Sequence, residues 1–367
     1  MRIAFLTNEN SMHINIKAKY FTQKEDSVYF FAMRCIDNHE TTKIKYRENL
    51  KVYTFAFSYN HDWKLIVHNV LKIYQSIKKN KIQIVHIIEM TFCEYAIALG
   101  LLGVKIVLEN NGSDVLLAPN NAALRKKYQY AYRLAKAVVQ DSFSAQQAGI
   151  ALGAPKNPNE IIELGIDTNI FNPYIEQGRF RKQYKIPMDA TVLFSPRAFC
   201  SLYNIPLIIK TIKPIIDEFP NTYYVFCTYV KNRKYQSKIE KLSDNVIFLG
   251  YLDNERDMPQ IYRDSDMVLS IPDSDSSPRT VYEAMACGST VIVSDLPWIQ
   301  GKFVDGKELF VTDITNPDQL LTMIREIIQK RKYIDREAGY DKIKDILDYR
   351  NSAKKLRKLY QSILQGN

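Results

Sequence analysis

The chain has 367 residues, 46% of them hydrophobic and 25% charged, an ordinary globular composition with room for two cores. Lys and Arg number 50 against 40 Asp and Glu, a net charge of +10. The excess is spread, with 21 basic against 15 acidic residues in 1–175 and 29 against 25 in the rest, so no concentrated nucleic-acid arm stands out and no nucleic-acid partner is expected.

In chain order, the apolar runs Ile3–Leu6, Val28–Ala32, Val52–Ala56, Ile84–Ile88, Val104–Leu108, Val138–Gln140 and Glu160–Leu164 read as strands. Helical patterns such as Trp63–Lys78 and Tyr95–Leu102 lie between several of them. Residues 165–190 are rich in turn formers and polar groups and read as an interdomain linker, with a boundary near 174. The alternation then restarts. Strands are expected at Thr191–Ser195, Tyr223–Cys227, Val246–Leu249, Met267–Ile271, Ser289–Ser294 and Glu308–Val311. Helices are expected at Ile205–Glu218, Tyr235–Leu242, Arg256–Arg263 and Pro317–Lys330, with a basic helical end over Ile334–Leu364. The expectation is two α/β domains with parallel sheets, 1–173 and 174–345, and a C-terminal helix, 346–367, free to pack back on the first domain. In open parallel sheets ligands bind beyond the carboxyl ends of the strands, so the cleft between two such domains is the default site.

Asp275-Ser-Ser-Pro-Arg-Thr-Val-Tyr-Glu283-Ala-Met-Ala-Cys-Gly288 is the most informative stretch. Ser277 is a good N-cap, Pro278 suits the first helical position and Gly288 suits C′. A helix N-terminus after a loop can hold an anion. On the helical wheel Val281, Ala284 and Met285 share one face, and Arg279 and Glu283 lie four apart on the other. Arg279 in the first turn opposes the helix dipole, which calls for a negative partner: Asp273, Asp275 or a ligand phosphate.

Five cysteines, at 35, 93, 200, 227 and 287, are odd in number and widely spaced, which points to a reducing compartment and away from disulfides or structural zinc. The five histidines show no metal-ligand spacing. Met-Arg-Ile-Ala-Phe reads as a strand rather than a signal peptide, and the longest apolar stretch, Tyr95–Val104, is too short to span a bilayer. A cytoplasmic protein is expected. The basic aromatic segment Leu124–Lys136 reads either as a solvated helix face or as a contact with anionic lipid at the inner face of the plasma membrane.

The order of the pieces resembles the retaining glycosyltransferases of the GT-B fold, in particular glycosyltransferase family 4. Val107-Leu-Glu-Asn-Asn-Gly-Ser-Asp-Val115 is similar to that family's strand and His-Gly-Ser-Asp loop. Leu164-Gly-Ile-Asp-Thr-Asn-Ile-Phe-Asn-Pro173 resembles its linker, Leu193-Phe-Ser-Pro-Arg197 its strand ending in Gly-Arg, and Asp275–Gly288 its Glu-x7-Glu motif. Val246–Tyr251 and Tyr262…Asp266 fit in order and spacing.

The resemblance implies a nucleotide-sugar donor held by the second domain, a glycan or lipid-linked acceptor, and neither cofactor nor metal. By the same resemblance Glu283 bonds the ribose, Arg197 pairs with the diphosphate, and the loop and N–H groups at Ser277, Arg279, Thr280 and Val281 cradle the donor. Asp275 bonds the donor sugar, Tyr251 lies at the base-binding loop, and Asn111, Asp114 and His13 face the transferred sugar or acceptor from the first domain. Three positions depart from the family pattern. The loop Thr7–His13 has no glycine, no Lys-Gly follows Arg197, and Asn111 and Asp275 stand where His and Glu are usual. Arg279 is a candidate replacement for the missing lysine. Alternatives are a nucleotide-sugar epimerase on the same scaffold, an inactive GT-B partner subunit, and a metal-dependent single-domain transferase using Asp273-Ser-Asp275.

Overall fold

The computed structural model describes residues 1–366 apart from 12, 25, 38–49, 117–121, 157, 229–231, 251 and 331–333. These form two compact units, Met1–Leu164 with Tyr349–Asn367, and Gly165–Asp348.

The first unit contains β1 (Arg2–Asn8), α1 (His13–Thr22), β2 (Ser27–Cys35), β3 (Lys51–Phe57), α2 (Trp63–Asn80), β4 (Ile84–Ile88), α3 (Cys93–Leu101), β5 (Ile106–Asn110), α4 (Ser113–Leu116), α5 (Ala122–Leu134), β6 (Ala137–Gln140), α6 (Phe143–Ala151) and β7 (Asn159–Ile161). All seven strands are parallel, in the order β3-β2-β1-β4-β5-β6-β7. The sheet is buried on both faces, as parallel sheets are. Ala4 and Leu6 of β1 enter one core with α2, α3 and α5, while Ile3 and Phe5 enter the core on the other face. This period of two explains why these strands read as continuous apolar runs.

β5 lies two residues later than the apolar run suggests. Its last two residues, Glu109 and Asn110, are polar but buried, because each finds partners across the fold. Glu109 lies 2.7 Å from Lys17 Nζ of α1 and 3.0 Å from His86 Nε2 of β4. Burial pushes the Glu109 carboxyl up, but Lys17 and His86 outweigh it and hold the pKa at about 2. Asn110 Nδ2 donates to Gln140 and to the Tyr132 hydroxyl.

The second unit contains α7 (Arg179–Gln183), β8 (Thr191–Ser195), α8 (Ile205–Glu218), β9 (Thr222–Cys227), α9 (Arg233–Glu240), β10 (Val246–Leu249), α10 (Met258–Asp264), β11 (Met267–Ser270), α11 (Arg279–Ala286), β12 (Thr290–Ser294), β13 (Phe310–Thr312), α12 (Pro317–Ile328) and α13 (Arg336–Ile346). Its six strands are parallel in the order β10-β9-β8-β11-β12-β13.

The chain passes into this unit at Leu164–Gly165, ahead of the boundary near 174 read from the sequence. The turn-rich segment belongs to the second core, where Ile166, Phe171, Phe180 and Ile186 are buried. The buried Asp264 carboxylate accepts the N–H groups of Gly178 and Phe180 at 2.6 and 2.8 Å, starting α7. Arg181 then donates to the Ala190 carbonyl and pairs with Asp266 at 2.9 Å. The helical end is broken at Leu347–Asp348, where Asp348 bridges Ile166 and accepts from Thr168. The last helix, α14 (Tyr349–Gln365), belongs to the first unit. Its Leu356, Tyr360 and Ile363 join the core beside α1.

Candidate active site

Each sheet reverses its winding once, and in open α/β sheets the carboxyl ends of the strands at that reversal are the ligand-binding place. In the second unit the reversal falls between β8 and β11, and the loops leaving them carry Arg197 and Asp275. Arg197 Nε donates to Ser270 Oγ at 2.9 Å, its Nη2 donates to the Asp275 carboxylate, and its guanidinium lies over the Tyr203 ring, 4.9 Å from the centroid. The Arg197 and Asp275 side chains are 14% and 18% exposed, so their attraction is little screened. Asp275 Oδ1 also accepts the Ser276 N–H at 2.9 Å. Asp273 instead accepts from Asn204 Nδ2 at 2.7 Å. The two carboxylates of Asp273-Ser-Asp275 thus serve separate partners.

Helix α11 starts one residue later than its sequence suggests. Pro278, with φ −75° and ψ 89°, is the N-cap in place of Ser277, and it has no side-chain bond to give. Its carbonyl accepts the Val281 and Tyr282 N–H groups at 2.9 and 3.2 Å. The N–H groups of Arg279 and Thr280 lie in the first turn, where a helix supplies no acceptor. Arg279 Nε and Thr280 Oγ1 are also buried without a hydrogen-bond partner among the described residues. Val281 differs from the other two: its N–H is committed to Pro278 and its side chain is fully buried. At the other end Gly288, at φ +81°, closes a Schellman motif, its N–H donating to Met285 and that of Ser289 to Ala284.

The negative partner of Arg279 is on its own helix. Arg279 Nη2 lies 2.9 Å from Glu283 Oε1, rather than against Asp273 or Asp275. Glu283 is not on a polar surface, as a wheel of the isolated helix implies, but 3% exposed. The reason is packing: α11 touches α10 and α13, and Val281–Ala286 are buried all round. Glu283 Oε1 also accepts from Asn254 Nδ2 and Oε2 from the Tyr262 hydroxyl, both at 3.4 Å. Burial raises the Glu283 pKa, against the opposing pull of Arg279, Asn254, Tyr262 and Arg197. Nothing in the sequence marked Ser270, Tyr203 or Asn254; Tyr262 was seen only as a spacing match.

In the first unit the reversal falls between β1 and β4. The residue after β4 is Glu89, at φ +77°, a region that costs a side chain roughly 1–3 kcal/mol. Its N–H donates to the Glu109 carbonyl at 2.9 Å and its own carbonyl accepts from Phe92. Burial, with Asp114 close by, pushes its pKa up to about 7, while the Asn111 amide works the other way. Asp114 accepts the N–H of Met90 on Oδ2 at 3.0 Å and that of Asn111 on Oδ1 at 3.1 Å, tying the loops after β4 and β5 together. Burial raises its pKa to about 6 despite these bonds. Sequence reasoning missed Glu89; the signal was a carboxylate directly after the apolar run Ile84–Ile88. His13 begins α1, but its side chain lies outside the described residues, as does Tyr251. Ser277 sits in the loop between Asp275 and Pro278.

Two family models match the chain, in the order of its two sheets. One, described as "Glycosyl transferase 4-like", covers residues 2–142, and the other, "Glycosyl transferases group 1", covers residues 176–344. The chain belongs to the GT-B glycosyltransferases. Its two parallel sheets exclude the single-domain Asp-x-Asp alternative. No curated protein matches this glycosyltransferase significantly. Among solved structures it is similar to a glycosyltransferase from Rickettsia africae, with a TM-score of 0.82 and 16% identity over 100% of this chain and 99% of the other. It is also similar to a sucrose-phosphate synthase from Thermosynechococcus elongatus, with a TM-score of 0.81 and 13% identity over 100% and 99%. HepE from Anabaena, in complex with UDP and glucose, gives 0.77 and 17% over 99% and 100%.

Proposed function

We propose that this glycosyltransferase moves a sugar, with retention of anomeric configuration, from a nucleotide-sugar to a glycan or lipid-linked acceptor. We place that reaction in cell-surface polysaccharide or glycolipid synthesis, at the cytoplasmic side of an anionic membrane that the protein contacts peripherally. The observation that carries the reading is the pair of arginines at the second unit's reversal, each facing a carboxylate. HepE, of the same fold, has UDP and glucose in its structure.

In this reading the diphosphate takes the place of Asp275 on Arg197, and the released Asp275 carboxylate bonds hydroxyls of the donor sugar. Arg279 and the free first-turn N–H groups of α11 hold the second phosphate. Val281 contributes packing rather than an N–H. The ribose diol displaces the Asn254 amide from Glu283, the Asn254 bond being long at 3.4 Å. No metal takes part, because the two guanidinium groups supply the positive charge the leaving group needs. The acceptor oxygen attacks the face the nucleotide leaves. Its bond to the anomeric carbon forms as the carbon–diphosphate oxygen bond breaks, and its proton passes to the departing phosphate. Asn111 and Asp114, with His13, face the acceptor from the first unit.

A thermal-shift panel of nucleotide-sugars tests this. One donor should raise the melting temperature of wild type and fail to do so for Arg197→Ala and Glu283→Gln, and chelating divalent metal should leave activity unchanged. No shift with any nucleotide-sugar, or the same shift in both variants, sinks the proposal. Release of free sugar and nucleotide without need of an acceptor would instead mark the epimerase alternative.

A further inference from the structure

Helix α2 turns an apolar stripe outward as well as inward. Its Val70, Ile73 and Ile77 are buried in the core. Yet Trp63, Val67 and Leu71 are 68%, 50% and 56% exposed. They lie four residues apart, so each is rotated only about 40° from the last and the three form one ridge. Lys64, Lys72, Lys78 and Lys79 are exposed on the same helix, Lys81 is its C-cap, and no Asp or Glu occurs between Trp63 and Asn80. A solvated helix has no use for an exposed tryptophan, and a helix face built for an ordinary protein partner has no need of four lysines without a carboxylate. Apolar ridge and one-signed charge together match a surface that is apolar beneath and anionic above.

Neighbouring elements extend the character. Helix α2 packs on α3 and α3 on α5. Leu101 and Leu102 at the end of α3 are 72% and 44% exposed, Tyr130 of α5 is 58% exposed, and Arg125, Lys126 and Arg133 of α5 are exposed. A cavity of about 210 Å³ is lined by the first turn of α2, through Asp62, Leu65 and Ile66, and by the rings of Phe57, Phe92 and Tyr128. A group entering beside that turn meets an aromatic wall.

We propose that α2 is an interfacial helix that docks the first unit on an anionic bilayer, with Trp63, Val67 and Leu71 inserted at the headgroup boundary and the lysines bound to lipid phosphates. The proposal rests on the membrane contact in the function proposed above and centres it on α2 rather than on the α5 segment.

The full chain carries its own probe, since Trp298, the second tryptophan, is buried at 4% exposure and Trp63 is open to water. Phosphatidylcholine vesicles containing phosphatidylglycerol should shift the tryptophan emission to the blue and sediment the protein, whereas pure phosphatidylcholine should do neither. Replacing Trp63, Val67 and Leu71 together by Gln should abolish sedimentation without lowering the melting temperature, as all three are exposed. Replacing Lys72, Lys78 and Lys79 by Gln should weaken binding about 100-fold, each lysine near an anionic surface being worth roughly fivefold. Absence of a blue shift, or sedimentation that survives the apolar triple variant, overturns the proposal. So does a lipid-free dimer that this variant abolishes, which makes the ridge a contact between copies. The nucleotide-sugar thermal shift is read without vesicles, so failure of the donor reading and failure of the docking reading are seen separately.

Discussion

Glu89→Gln should make the protein more stable at alkaline pH than at acid pH, relative to wild type. In the fold the Glu89 carboxyl is raised from an ordinary 4.5 to about 7, by burial first and then by Asp114. A carboxyl raised in the folded state costs nothing below about pH 4.5, where it is neutral whether folded or not. Between pH 4.5 and 7 the unfolded chain ionises while the folded one keeps its proton, so stability falls as pH rises. Above 7 the full cost stands, roughly 3 kcal/mol for a rise from 4.5 to about 7. Partial solvent access and coupling to Asp114 reduce this to about 1–3 kcal/mol. Gln keeps the volume and never ionises. Urea unfolding of wild type and Glu89→Gln at pH 5 and pH 8 measures the difference. The variant should gain about 1–3 kcal/mol more at pH 8 than at pH 5. Parallel pH profiles, within about 0.5 kcal/mol, would refute the reasoning and mean that water or loop motion relieves the ionised carboxylate.

Lys17→Met should destabilise the protein by about 3–5 kcal/mol at pH 7, because it leaves Glu109 as an unpaired buried charge. Here the folded pKa is depressed, so the pair's stabilisation is present above the ordinary carboxylate pKa and is lost as pH falls toward about 2; the variant's penalty in calorimetry should shrink along that path. Gly288→Ala should cost about 1–2 kcal/mol in urea unfolding, since φ is +81° and the new Cβ would lie 3.3 Å from Arg336 Cβ; a neutral result would mean that the Schellman closure is not required.

The sequence made the sheets visible because buried parallel strands are runs of apolar residues with turn formers at their ends. It misplaced β5 because Glu109 and Asn110 look like loop residues until Lys17, Gln140 and Tyr132 are known to meet them. Residues 165–190 look like a linker because Gly, Asn and Pro mark turns, yet Asp264, some eighty residues on, caps α7 from outside. Glu283 went to the polar side of its wheel because a wheel knows only its own helix, whereas α10 and α13 decide what is buried. The family motifs made Arg197, Asp275 and Glu283 candidates. That Arg197 pairs with Asp275 and Arg279 with Glu283 depends on loop paths that no local pattern encodes.

The strand ends that carry the candidate site residues differ in charge between the two units. At β8 and β11 two carboxylates of the motif each face an arginine, Asp275 with Arg197 and Glu283 with Arg279, while Asp273 accepts from Asn204. Both arginines keep donors to spare, since each guanidinium has five and the pairings use one or two. A phosphate entering such a site adds negative charge, because the displaced carboxylate stays on the chain, and the spare guanidinium donors are what offset it. At β4 and β5 the carboxyls of Glu89 and Asp114 lie close together and both are pushed toward holding their protons near neutral pH. A phosphate brought there would meet two acids and no arginine from the motif. A sugar hydroxyl would meet groups able both to donate and to accept. The side chains of each unit, taken alone, therefore support the proposed placing of phosphates on the second unit and of sugar hydroxyls on the first.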